Sequence, residues 1–546
     1  MKTRHLLTAV AVLAAVVGLG ASVADAQSSG WTTVVNDGDI MPGTAGTPFN
    51  SYNQPSVNGN GLVLFRARSK GAGEGGGCGC GGDAPTAEGG MTHGIYERDT
   101  ANKNAPIARI FDRTSLVPAP NNLGAIFNEF PSFPRIAMTG TTIATRGESS
   151  PVWDYTLGGV ETRSGTSGIY MDQQGVSPFT GMSQLGFLPQ FSYWQVPGTL
   201  AGIKFDQFPG SPSATSDAIV FKGNWTDAGG SARTGVYYRT VTDTGGTLPV
   251  QRVADTNTLI PNRPAGSVAT FGSTAPPTAA GRQMVFVGLD KEEAPTAGGI
   301  YLANLTPSPP LTTVIGIGDT VPGVAGDAHF SRIGESLSFD GRYISFWGAW
   351  GTATRTIELQ CPTTGNAARR AYCLKVYPSG VFTTTEPADQ GIFVADTVKH
   401  QIVLVARTGG DFLTFLYWVY SGKPPGTGGG DFEPARWRSS AFAAVSSTGP
   451  TFQIAFKGTK GNGTEGIYLA SGPNPSLAFP VTVVDTTTPG ELIDPDAAGL
   501  TVSAVGLERD GFRKGHLALA IGMSNADASV NWAGIYLTDL GPGGGP

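Results

Sequence analysis

Charge is scarce in this chain: Asp, Glu, Lys and Arg make up 14% of its 546 residues, with a formal net charge of −6. So little charge, and of the acidic sign, supplies neither a basic surface nor counterion release, which excludes nucleic acid as a partner. Regular helix is excluded next. The 79 Gly and 39 Pro break helices throughout and rule out a bundle or coiled coil. No Gly-X-Y period is present, so collagen is excluded too. Beyond the N-terminus there is no long apolar run, so the chain is not expected to span a membrane. Sharp catalytic motifs are missing as well. There is no Gly-x-Ser-x-Gly elbow (Gly181-Met-Ser-Gln-Leu-Gly186 misses by one residue), no phosphate loop ending in Lys-Ser/Thr, and no His-Glu-x-x-His. The 40% of hydrophobic residues is enough for a core, and the remaining class is a loop-rich, all-β protein.

The N-terminus reads as an address. Lys2 and Arg4 precede an apolar stretch from Leu6 to Gly20, and Ala24-Asp-Ala26 offers small residues for a signal peptidase. Residues 1–26 are therefore expected to be a signal peptide. Residues 27–540 are expected to form one domain and 541–546 a flexible Gly/Pro tail. The protein should be secreted, periplasmic or held at the cell surface.

A repeat then organises the chain. Gly-[Ile/Val]-[Tyr/Phe] recurs at Gly94, Gly168, Gly235, Gly299, Gly391, Gly466 and Gly534. Each copy follows a β-rich run such as LVLFRA (62–67), IVFKG (219–223), MVFVG (284–288) or IAFKG (454–458). Most runs follow a turn signal: Asn58-Gly59, Thr139-Gly140, Ala280-Gly281, Asp340-Gly341, Thr448-Gly449 or Asp510-Gly511. Downstream comes a fourth strand and a Gly-Asp-x-x-Pro-Gly segment, clearest at Leu311 to Gly323. One unit is thus a four-stranded meander. The last unit stops after Gly534 to Leu540 without its fourth strand, while Trp31 to Gly43 is an orphan copy of that strand. Ring closure requires this arrangement, since it removes the open edges of a linear stack. The reading is a seven-bladed β-propeller of four-stranded antiparallel blades, closed by the N-terminal strand pairing into the last blade.

Asn58-Gly-Asn-Gly-Leu-Val-Leu-Phe65 followed by Gly94-Ile-Tyr96, with Gly38-Asp39 and Pro42-Gly43 upstream, resembles the bacterial exported proteins with NxxGxxAF tandem repeats. The resemblance spans nearly the whole chain after the leader and implies a propeller-like exported protein. It implies no reaction and no catalytic residue. Later copies drop the Asn, and Leu64 stands where the family has Ala.

In a meander, connections alternate between two faces. The 1–2 and 3–4 turns share one face, expected to be plain. The 2–3 loops and 4–1 crossovers share the other. The insertions fall there: 69–93 and 350–390 as 2–3 loops, with 408–436 and Val176 to Phe208 read as crossovers. Loops on a rigid scaffold carry function, so this decorated face is expected to bind. Its aromatics, chiefly Tyr193, Trp194, Trp350, Trp418 and Tyr420, are candidates for stacking on a sugar or anchoring a protein. Packing of the loops onto the propeller is the structural alternative.

Cys361 and Cys373 flank a short polar loop and are expected to form a disulfide. Cys78-Gly-Cys80 sits in a Gly-rich stretch and is read as a local disulfide or flexible loop, or as half of a metal site. Asp39, Asp255, Asp319 and Asp485 recur once per unit. They are expected to cap the crossover turns, while a carboxylate ring built from residues such as Asp39 and Asp319 is the alternative, as a Ca²⁺ site. His93, His329, His400 and His516 do not converge on the blade map. The expected function is an exported binding or structural module engaging a glycan or protein. The alternative is an extracellular carbohydrate-active hydrolase or lyase using channel-mouth carboxylates, which propellers also host.

Overall fold

The computed structural model describes residues 30–541 except 71–91, 120, 122, 158–159, 186–194, 242–247, 264–267, 364–366, 424–432, 449–450 and 474–478. The leader, Cys78, Cys80, Tyr193 and Trp194 lie outside the described residues. The described chain is a seven-bladed β-propeller. Seven antiparallel sheets succeed one another in chain order, each a path of four strands. The last sheet runs Thr501–Gly506, His516–Ser524, Asn531–Asp539 and then Trp31–Asn36. Trp31 pairs with Thr538 and Asn36 with Gly534, so the N-terminal strand closes the ring. Among the described residues no helix is long and apolar enough to cross a membrane.

The repeat motif has a packing cause. In six blades an aromatic ring of the first strand meets the Tyr or Phe of the third. These pairs are Phe49–Tyr96, Phe127–Tyr170, Phe205–Tyr237, Phe271–Tyr301, Phe330–Phe393 and Phe412–Tyr468, with centroids 4.7–5.2 Å apart. Edge-to-face contact at this distance is the favoured aromatic geometry. In blades 2 to 6 the ring lies over a glycine of the second strand, where blade 1 has Ala67: a Cβ on Gly288 would stand 2.5 Å from the Phe271 ring. In blade 4 a methyl group cannot enter there without displacing the ring. The seventh blade has no Phe in its first long strand or its second and does not repeat the arrangement.

The first strand of every blade is broken in two, and both halves pair with the second strand. In blade 1 Phe49–Tyr52 and Ser56–Val57 flank the break at Pro55. Prolines also stand in the breaks of blades 2, 3 and 4, at Pro131, Pro134, Pro209, Pro212, Pro276 and Pro277. Proline has no N–H to give to a ladder, and at the ring's inner edge no further strand demands one. Each break therefore turns backbone and side chains toward the axis.

Several sequence expectations shift by one element. Val176–Ser183 is the fourth strand of blade 2, so the crossover starts only after it. The 350–390 insertion is no loop at first. Its flanking strands, Tyr343–Gln360 and Val381–Asp396, stay paired far beyond the blade, and a helix, Ala367–Val376, caps them. The 408–436 segment is not a crossover. Phe412–Thr414 already belongs to the first strand of blade 6, and a hairpin of Tyr417–Lys423 and Glu433–Ser440 is inserted in that strand's break. The two insertions pack together around Tyr420, Trp437 and the Cys361–Cys373 disulfide, whose sulfurs are bonded as expected. Asp510-Gly511 is not the 1–2 turn of the last blade. Lys514-Gly515 turns there, and Asp510 lies in the break of the first strand.

Candidate functional site

At the breaks the seven blades enclose a cavity of about 850 Å³ on the ring axis. Every blade lines it, for example through Asn53, Ser132, Ser211, Pro276, Glu335, Phe442 and Arg509. Its walls rise toward the decorated face, since they include the 2–3 loop of blade 4 (Glu292 to Pro295), Glu386 of the long hairpin, and Trp418 of the inserted hairpin.

The floor is one segment of blade 7. Residues 505–513 are buried along their whole length. From there the chain bonds to all six other blades. Asp510 O accepts from Val57 N (3.0 Å) of blade 1. Arg135 of blade 2 pairs with Glu508 and, at 2.9 Å, with Asp510. Arg509 donates to Ser211 O (3.4 Å), Pro276 O (3.0 Å) and Pro277 O (2.9 Å) of blades 3 and 4. Ser338 of blade 5 donates to Arg509 O (2.6 Å), and Arg513 donates to Val445 O (3.1 Å) of blade 6 while pairing with Asp510. Burial pushes the Asp510 carboxyl up, but Arg513, Arg135 and Arg509 outweigh it and hold it below the usual carboxylate range. Burial and the neighbouring Arg135 bring the Arg509 guanidinium down to about 9. The floor is a solid ionic plug, so the cavity is a cup open only on the decorated face.

The wall between blades 1 and 2 holds a second buried ionic group. Glu129 accepts from Arg66 (2.6 Å) and faces His93 Nε2 at 3.1 Å. Burial pushes Glu129 up, yet His93 and Arg66 outweigh it and hold its carboxyl at about 2.

The upper wall differs. The side chains of Glu292, Glu293, Arg332 and Glu335, which line it, make no hydrogen bond or close ion pair among the described residues, nor does Lys222 behind them. Glu335 faces the water of the cup, yet protein rises around it. This partial burial pushes its carboxyl up, Lys222 opposes the shift, and Glu292 adds to it. Burial pushes the Lys222 amine down against the pull of Glu335 and Glu292. The loop presenting Glu292 is held rigid. Asp290 accepts from Thr296 N (2.9 Å), Ala297 N (3.2 Å) and Thr296 Oγ1 (2.6 Å), and Ala294 takes a left-handed φ of 47°. A non-glycine residue held in that region stores strain of the kind found at ligand clamps.

Of the aromatics singled out by the sequence, Trp418 lines the cup and donates Nε1 to Glu386 Oε2 at 3.2 Å. Trp350 does not reach it. It is packed in the blade core, edge-on to Phe393, with 6% of its surface exposed. Tyr420 is likewise buried, in the core of the accessory lobe. Trp347 only edges the cup: it is 7% exposed, packs in the core on the opposite face of the strand from Trp350, and donates Nε1 to Gln390 Oε1 at 3.2 Å. Position along the strand separates them: each residue flips the side chain to the other face.

The per-blade aspartates act in turns. Asp255 and Asp485 accept from the backbone N–H two residues on, each at 2.9 Å. Asp39 and Asp319 accept from the backbone N–H of Asn36 (3.0 Å) and Gly316 (2.7 Å), each three residues back. Among the described residues no three His, Cys, Asp or Glu side chains gather as metal ligands. His93 is buried against Glu129, His329 hydrogen-bonds Asp327 on a crossover, and the histidines do not converge.

No family model and no curated protein matches the chain. Among solved structures it is similar to the Hadza microbial sialidase Hz136, with a TM-score of 0.31, 9% identity, and coverage of 78% of this chain and 66% of that one. It thus spans just under two thirds of the sialidase's length. It is also similar to the Bombyx mori GH32 beta-fructofuranosidase BmSUC1, with a TM-score of 0.26, 9% identity, and coverage of 94% and 91%. Likenesses of this size assign neither activity nor ligand.

Proposed function

We propose that the protein is an exported propeller that binds a glycan in its axial cup. One observation carries the reading: a closed-floored cavity of about 850 Å³ sets the half-buried indole of Trp418 among the side chains of Glu292, Glu293, Arg332 and Glu335, which make no hydrogen bond or close ion pair among the described residues. A sugar presents apolar C–H faces and a rim of hydroxyls that both donate and accept. Aromatic faces suit the first, and mixed carboxylates and guanidiniums suit the second. The volume lies within the range of ligand pockets. The leader-like N-terminus and the disulfide support placement outside the cytoplasm. The test is a glycan array probed with the mature protein and with Trp418→Ala. Loss of the ring should weaken binding by roughly tenfold, from ~1.4 kcal/mol of stacking and buried area. A mature protein that binds no glycan sinks the reading.

A second reading has its own observation. Glu335, whose carboxyl is pushed up, stands in the cup with Glu292. A carboxyl held above its ordinary range by its surroundings is better suited to general acid work on a glycosidic oxygen than a free one. Hydrolysis of a bound glycan, abolished in Glu335→Gln with binding retained, would favour this reading over binding alone.

A further inference from the structure

We infer that the cup receives the end of a glycan chain and not its interior, an inference that rests on the glycan reading above. An internal segment must enter a site and leave it, which needs a cleft or channel open on two sides. This cavity has one opening. Its floor is the buried 505–513 segment, bonded to all six other blades, so nothing passes through along the axis. Its sides are the seven blades themselves. The mouth is narrowed by two rigid features: the blade 4 loop fastened by Asp290, and the accessory lobe, where Trp418 is tied to Glu386.

The unpartnered groups are placed for end-on entry. Glu335 comes from the break of the blade 5 first strand and Arg332 from the strand end just before it, Phe330–Ile333, both on the wall of the cup and not at loop tips. A chain laid across the mouth would touch the rim and leave them unused. A terminal sugar that descends into the cup meets them. It also carries a hydroxyl that an internal residue has lost to its linkage, and a carboxylate or guanidinium without another partner is matched to that extra group. Buried polar groups discriminate strongly between a ligand that supplies a hydroxyl and one that lacks it.

The test uses the mature full-length protein and soluble xylan, arabinan, galactan, mannan, laminarin and amylose. Each is offered intact and after partial acid hydrolysis to roughly a tenth of its chain length, with binding measured by calorimetry. Chain-end recognition predicts that the mass concentration at half-saturation falls roughly tenfold on hydrolysis, in step with the number of ends. Trp418→Ala and Glu335→Gln should weaken the intact and shortened forms alike. If a polysaccharide binds but its half-saturation by mass stays the same or rises on hydrolysis, the chain-end inference is overturned while the glycan reading stands. If none of the six binds in either form, both are overturned.

Discussion

The two ends of the ring axis are built from the same residue types and behave in opposite ways. At the floor, Arg135, Glu508, Arg509, Asp510 and Arg513 are buried and every charge has a partner of opposite sign or a ring of carbonyls. At the mouth, Glu292, Arg332 and Glu335 face the cup without close partners among the described residues. Pairing converts charge into a fastener. Leaving it unpaired in a half-enclosed space costs stability and keeps the groups available for something that arrives from outside. The floor is therefore read as structural and the mouth as functional.

The largest expected effect concerns the frame that holds both ends. A protein starting at Phe49, which lacks Trp31–Asn36, should lose cooperative unfolding in urea, because the last blade is left with an open edge. An unchanged, sharp transition would mean the ring does not depend on its seam. Next comes the floor. Asp510→Ala removes the carboxylate partner of Arg513 and one of the two that hold Arg135, in a buried site, and should cost about 3–5 kcal/mol in the same urea titration. A small effect would erase the distinction between the two ends.

A pH series sharpens the comparison at the cup wall. Glu129 is held at about 2 in the fold, against an ordinary value of 4.5. A carboxylate lowered in this way contributes stability that is full above its unfolded value and is lost as pH falls through the folded one. The melting temperature should therefore drop between pH 5 and pH 2, and Glu129→Gln should flatten that drop. Smallest of all is the mouth. Arg332→Met and Glu335→Gln should change stability by no more than ~0.5 kcal/mol, while Glu335→Gln weakens glycan binding. Destabilisation on the scale of Asp510→Ala would show that the mouth is part of the scaffold.

Much of the architecture was legible because it is local and repeated. Gly-Ile-Tyr and Phe-x-Gly recur since a ring must lie on a bare backbone in blade after blade, and the orphan strand at Trp31 announces the seam. The Cys361–Cys373 link follows from a short separation in an oxidising setting. The floor was not legible. Glu508-Arg-Asp-Gly511 has the composition of a polar turn, and its partners Arg135, Ser211, Pro276, Ser338 and Val445 are scattered over five blades, so no spacing points to it. The cup suffers from the same dispersal: Glu292, Glu335 and Trp418 come from blades 4, 5 and 6 and form no motif. Among the aromatics, a one-residue difference in where strand or insertion begins decides whether a ring is core or wall. That is why Trp350 and Tyr420, candidates for stacking in the sequence, are core residues, as the packing alternative had it.

The seam also sets a timetable. Thr538 reaches back to Gly30 across 508 positions, and Ala533 N to Asp37 across 496. During synthesis the strand that emerges first waits for almost the whole chain before its partner exists. Closing so long a loop adds only modestly to the entropy cost, which grows with the logarithm of length. Its effect is on time, because contacts this distant in sequence are the slowest to form. Until Asn531–Asp539 appears, Trp31–Asn36 is a bare β-edge that other strands can join. A protein built this way is assembled like a clasped bracelet: the first link made is the last one fastened, and a chain interrupted before its final blade has no route to the finished shape.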